Sequence, residues 1–99
     1  MKFMVKWNID QDKWIPVLKA FSSMTPAQRA DDGTGVTVVG RWHDMSTRTG
    51  VAILESPDTA SVARHLNRWN SMCNIEIAPV LNDDEAAALS RTILADVSG

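Results

Sequence analysis

Two side chains near the middle of the chain carry chemistry suited to neutral pH. The imidazole of His43 ordinarily titrates at about 6.5, so it can take or give a proton close to pH 7. Arg41 lies two residues earlier, and residues two apart in a pleated strand share a side. Its planar guanidinium can hold a carboxylate or steady an enolate oxygen. His43 and Arg41 are therefore the candidate catalytic residues. The plainer reading leaves both at the end of a hairpin as solvated or interface residues. Asp44 follows His43 directly and points to the other face, so it is a poor partner for it in proton relay or metal binding.

Lys6, Glu76 and Trp42 are the candidate ligand-binding residues. Lys6 and Glu76 fall on neighbouring strands and on one face, where a cross-strand ion pair is the simplest outcome. A desolvated amine or carboxylate facing a cavity is the alternative. This pair is expected toward the opposite end of the sheet from Arg41 and His43. The chain has four tryptophans and no tyrosine. Trp14 and Trp69 fall on the inner stripes of helices, and Trp7 and Trp42 on the helix-facing side of strands. All four suit a core, and Trp42 at a strand end is the one freest to meet a ligand.

The other polar residues have ordinary explanations. His65 sits beside a helical apolar stripe as a half-exposed surface residue, and Cys73 continues that stripe as a buried thiol. No spacing of His, Cys, Asp or Glu suits a metal. Gly33-Thr34-Gly35 opens a strand and lacks the helix N-terminus that binds phosphate, so no cofactor is expected.

The elements that must position these groups follow from periodicity. Alternation marks strands at Lys2 to Asn8, Val36 to Asp44, Gly50 to Glu55 and Asn74 to Leu81, with Pro79 putting the last at a sheet edge. Trp14, Val17, Leu18 and Phe21 recur at helical spacing over Lys13 to Ser23, with Pro16 disturbing the first turn. Met24 to Gly35 is a long polar connection, either mobile or a lid. Ser56-Pro57-Asp58 reads as a helix start with Ser56 as cap, and Val62, Leu66, Trp69 and Cys73 as the inner stripe. Asn82-Asp83-Asp84-Glu85 opens a last helix bearing Leu89, Ile93 and Val97.

The order β-α-β-β-α-β plus a C-terminal helix predicts an α+β, ferredoxin-like domain spanning residues 1–99. Its four-stranded antiparallel-type sheet has strand order 4-1-3-2, with both crossover helices on one face. Phe3, Val5, Trp7, Val36, Val38, Trp42, Val51, Ile53, Ile75 and Ile77 form the richer apolar set, expected under the helices. Met4, Lys6, Thr37, Val39, Arg41, His43, Ala52, Leu54, Glu76, Ala78 and Val80 form the other. That face is too apolar to meet water comfortably. Either the C-terminal helix folds over it or a second copy does, and a homodimer closing into a barrel is the preferred reading.

Composition narrows the functional classes. With 22% charged residues, a net charge of −2 and ten basic residues in no run, the chain lacks the basic face of a nucleic-acid module. No apolar stretch approaches the ~20 residues that span a bilayer. One cysteine and no leader pattern point to the cytoplasm.

The segments Met1-Lys2-Phe3-Met4-Val5-Lys6-Trp7, Gly40-Arg41-Trp42-His43-Asp44, Trp69-Asn70 and Pro79-Val80-Leu81-Asn82-Asp83-Asp84-Glu85 resemble a family of small bacterial proteins of unknown function. That family is grouped with the dimeric α/β-barrel superfamily, and the similarity runs over nearly the whole chain. The resemblance implies a ferredoxin-like protomer and a homodimer with a central barrel. It implies no substrate and no catalytic residues, because the superfamily spans monooxygenases, isomerases, haem-binding enzymes and ligand sensors. Three functions stay open. One is a dimer binding a small, partly apolar ligand in its barrel. The second is a cofactor-independent monooxygenase- or isomerase-like enzyme acting on a small carbonyl or phenolic compound. The third is an interaction module with no pocket.

Overall fold

A computed structural model describes all 99 residues. Its four strands are β1 (Lys2–Ile9), β2 (Thr37–Asp44), β3 (Thr49–Glu55) and β4 (Cys73–Val80). They form one antiparallel sheet in the order β2-β3-β1-β4, the expected ferredoxin-like topology. Pro79 lies on edge strand β4, where its missing N–H costs no central ladder bond.

A 3-10 turn at Gln11–Lys13 leads into α1 (Trp14–Ser22), so Pro16 falls in the first α-helical turn, where an amide donor has no partner to lose. The expected loop after α1 contains a short helix, α2 (Pro26–Ala30). Thr25 caps it reciprocally with Gln28, and Pro26 starts it. The next helix, α3 (Thr59–Leu66), begins later and ends earlier than expected. Asp58 is its cap, accepting from the Ser61 N–H at 2.7 Å. Ser56 is instead buried, donating its N–H to the Met1 carbonyl and its hydroxyl to the Asp58 carbonyl. Trp69 and Cys73 therefore do not extend the helix stripe. Trp69 lies in the turn after α3, and Cys73, half-buried, opens β4.

The core joins Phe3, Val5, Val36, Ala52, Leu54 and Val62. This corrects the face assignment. Register pairs Phe3 with Leu54 and Val5 with Ala52, so Ala52 and Leu54 face the helices while Val51 and Ile53 face away. Both faces of β3 are apolar, so alternation alone could not choose between them. In β2 a bulge between Val38 and Gly40 adds one residue. Before it Val36 and Val38 face the core as expected; beyond it the alternation inverts. Arg41 pairs with Ala52 and His43 with Gly50, and both turn under the helices, while Trp42 pairs with Val51 on the open face.

The last helix, α4 (Asp83–Ser98), is closed at its start by a reciprocal cap between Asn82 and Glu85. It does not fold over the sheet. Every one of its residues is exposed, including Leu89, Ile93, Leu94 and Val97. The chain accordingly measures 56 × 28 × 20 Å with a radius of gyration of 16.4 Å, against roughly 13 Å for a compact chain of about 100 residues. No helix is long and apolar enough to cross a membrane.

Candidate functional site

Between sheet and helices lies a cavity of about 400 Å³. The helix side supplies Trp14, Val17, Leu18 and Phe21 from α1, Met24 from the following segment, and His65 and Leu66 from α3. The sheet supplies Val5, Trp7, Ile9, Ala52, Leu54 and Ile75, with Trp69 and Cys73 closing one side. Fifteen of the 18 lining residues are hydrophobic, and the polar exceptions are Arg41, His43 and His65.

Gly50 shapes this wall. A Cβ there would overlap the Trp7 indole, so the missing side chain lets that ring lie across β3 toward His43. The His43 imidazole stands at the solvent-facing mouth, 5.6 Å from Trp7 in an edge-on arrangement and 4.9 Å from Phe21. Burial against these rings, and then the Arg41 charge, hold its pKa below the ordinary histidine value. The imidazole is therefore neutral at pH 7, the form that can accept a proton.

Arg41 is half-buried. Its guanidinium carbon lies 5.6 Å from the centroid of Phe21, and the Arg29 guanidinium carbon lies 5.7 Å from the same centroid. Arg41 Nη2 donates to the Arg29 carbonyl at 3.2 Å, and Arg29 Nη1 donates to the Met24 carbonyl at 2.6 Å. Burial, and then the neighbouring Arg29 charge, push the Arg41 pKa down from its usual high value. Neither guanidinium forms an ion pair.

A second tie holds the Met24–Gly35 segment over the cavity. His65 Nδ1 meets Asp32 Oδ2 at 2.8 Å, with side chains only 10% and 7% exposed. Burial alone would raise the Asp32 pKa. Hydrogen bonds from Thr34, together with His65, outweigh it and hold the carboxyl below its usual range. The expectation of a half-exposed surface His65 is corrected, since the residue is 8% exposed. Its place three residues after Val62 and one before Leu66 puts it within the helical stripe, which is the signal for burial. Asp32 carried no such signal, because its partner lies 33 residues away. Burial raises the Cys73 pKa, so its thiol stays protonated at neutral pH and is not an activated nucleophile.

The remaining candidates stand on the opposite face. Trp42, Val51, Lys6 and Glu76 are register partners in one row across the sheet, and a shallower groove runs along them. Lys6 and Glu76 are thus neighbours, as expected, but they form no ion pair. Their row adjoins that of His43, so the pair is at the same end of the sheet as Arg41 and His43, and is separated from them by the sheet itself. Trp42 belongs with Lys6 and Glu76, its ring lying over Gly40, where a Cβ would overlap it. Asp44 serves the hairpin turn. Its Oδ1 accepts from Ser46 and Thr47, which lowers its pKa. No group of three or more acidic, histidine or cysteine side chains is placed to hold a metal.

Among known sequences, a family described as a domain of unknown function (DUF3303) matches residues 1–94. No curated protein matches the chain. Among solved structures, the chain is similar to one from Deinococcus radiodurans provisionally named an antibiotic biosynthesis monooxygenase. The match has 10% identity and a TM-score of 0.47, covering 83% of this chain and 94% of that one.

Proposed function

We propose that this chain, which belongs to the DUF3303 family of domains of unknown function, is a small-molecule binding protein. It holds one largely apolar ligand between sheet and helices, inside each protomer and not within a barrel between protomers. The observation that carries this reading is the cavity itself. It is about 400 Å³ of largely apolar space whose lining includes three polar side chains, Arg41, His43 and His65, the usual makeup of a ligand site. Isothermal titration with naphthalene derivatives, alongside an Ala52→Leu variant, tests it. Ala52 is 3% exposed and lines the cavity, so the larger side chain fills the space. Binding that weakens at least ~10-fold in a variant with an unchanged circular dichroism spectrum supports the reading. Binding that ignores the filling overturns it.

A second copy covers the open sheet face in this reading. Its support is the pair of apolar surfaces left unpartnered on one chain: Trp42, 62% exposed, and the α4 stripe through Ile93 and Leu94. Sedimentation should give a dimer that Trp42→Glu weakens. A monomer at high concentration would refute it.

One observation favours a cofactor-independent enzyme as the second reading. A neutral His43 beside Arg41 is a base next to a cation that can steady an oxyanion. Such an enzyme would speed deuterium exchange at the methyl group of 2-acetonaphthone in heavy water, and His43→Gln would abolish the effect. Exchange at the solvent rate excludes it for this class of ketone.

A further inference from the structure

We infer that the ligand is a flat aromatic acid whose carboxylate lies against Arg41, an inference that rests on the cavity being a small-molecule site. Three observations lead there. First, Arg29 and Arg41 stand on the same ring, their guanidinium carbons 5.7 and 5.6 Å from the Phe21 centroid, and neither meets a carboxylate. Like charges gathered beside an apolar space are costly unless an anion joins them. The chain has twelve acidic residues, yet those nearest in sequence to Arg29 are engaged elsewhere. Asp31 accepts from the Gly33 N–H, and Asp32 is taken by Thr34 and His65.

Second, Arg41 has donors to spare. A guanidinium offers five N–H groups, and the fold uses one, on the Arg29 carbonyl. The remainder suit the two oxygens of a carboxylate, which accept from the guanidinium fork in parallel. His43 is beside it, and its neutral ring adds a hydrogen bond without adding a competing cation. An anion at this place would in turn favour protonation of His43, countering the effect of Arg41.

Third, the walls suit a flat ring. Phe21 and Trp69 are 6.3 Å apart and inclined at 54°, and Trp7 stands edge-on to His43. These rings pack against one another as one aromatic wall, against which a planar guest can lie by offset or edge contacts.

Isothermal titration of the full chain with three naphthalenes of similar size separates the outcomes: 2-naphthoate, neutral 2-acetonaphthone and cationic 2-naphthylmethylamine. The acid is expected to bind at least ~10-fold tighter than the ketone, with the amine weakest, from charge-assisted hydrogen bonds at a half-buried site. Arg41→Gln should weaken the acid at least ~10-fold and the ketone, whose carbonyl loses only a hydrogen bond to a neutral group, far less, so the ketone binding that remains reports an intact cavity. Arg29→Gln should weaken the acid less. The wild-type panel decides by itself if Arg41→Gln fails to fold. Equal binding of ketone and acid overturns the acid inference and leaves the cavity reading standing. No binding by any of the three overturns both.

Discussion

The two faces of this sheet are built from the same kinds of residue and do opposite things with them. On the helix face, apolar side chains from the sheet, α1 and α3 enclose a space, and the charged groups they admit are held to named partners. Arg41 reaches the Arg29 carbonyl, and His65 reaches Asp32. On the open face, Lys6 and Glu76 are register neighbours with free charged ends, and Trp42 lies bare over Gly40. Enclosure makes a polar group chemically specific, because water no longer competes for it. The same residue types in the shallow groove stay solvated and weakly coupled.

Neighbouring residues of β3 give the largest test of that contrast. Leu54 is 1% exposed in the core and Ile53 is half-buried on the other face. Leu54→Ala should cost about 2–5 kcal/mol in chemical denaturation, and Ile53→Ala about 1 kcal/mol or less in an isolated protomer, with less surface removed from water. Equal costs would mean that the open face is as well covered as the core. Gly50→Ala comes next, because a Cβ there overlaps the Trp7 ring. Overpacking of this kind should cost about 1–3 kcal/mol and change tryptophan fluorescence as the ring is displaced into the cavity.

The buried Asp32–His65 tie should be worth somewhat less, and Asp32→Asn should lower stability by about 1–2 kcal/mol at pH 7. The pH dependence has a definite sign. The folded carboxyl titrates below its unfolded value. Its contribution is therefore present above about pH 4 and is lost as pH falls through the folded value; Asp32→Asn should lose less stability on acidification. His43 also titrates below its ordinary value, so the native state binds fewer protons than the unfolded one as pH drops below about 6.5, and stability declines there. An NMR titration of its ring should show the depressed value, and Arg41→Gln should raise it. The smallest effects belong to Lys6→Ala and Glu76→Ala, within about 0.5 kcal/mol each, as for exposed charges without a paired partner. A larger loss for both would show that something covers this face and brings the two charges together.

Most of the topology was legible because it is written in coarse signals. Alternation, the Pro79 edge mark and the asparagine-led start of the last helix each survive small errors of position. Finer signals were present but easily passed over. Thr25-Pro26-Ala27-Gln28 is a complete capping box, and no apolar run follows it to announce a helix. The pairing of Arg41 with His43 on one side was readable from spacing alone. Which side they share was not, because that depends on a local irregularity between Val38 and Gly40 and on a strand apolar on both faces. The Asp32–His65 tie joins residues far apart in sequence and leaves no periodic trace.

The additional residue in β2 gives the hairpin arm something like a reading frame. Were the ladder regular through Val38, Val39 and Gly40, with no residue left over, the stretch from Gly40 to Asp44 would be rolled half a turn about its axis with its composition unaltered. An indole would then plug the cavity, and the guanidinium and imidazole would look out on the far side. Deleting Val39 outright is the opposite case: it removes the bulge and leaves Arg41 opposite Ala52 and His43 opposite Gly50, so the pairing across the hairpin, and not the residue count of β2, keeps the cavity open.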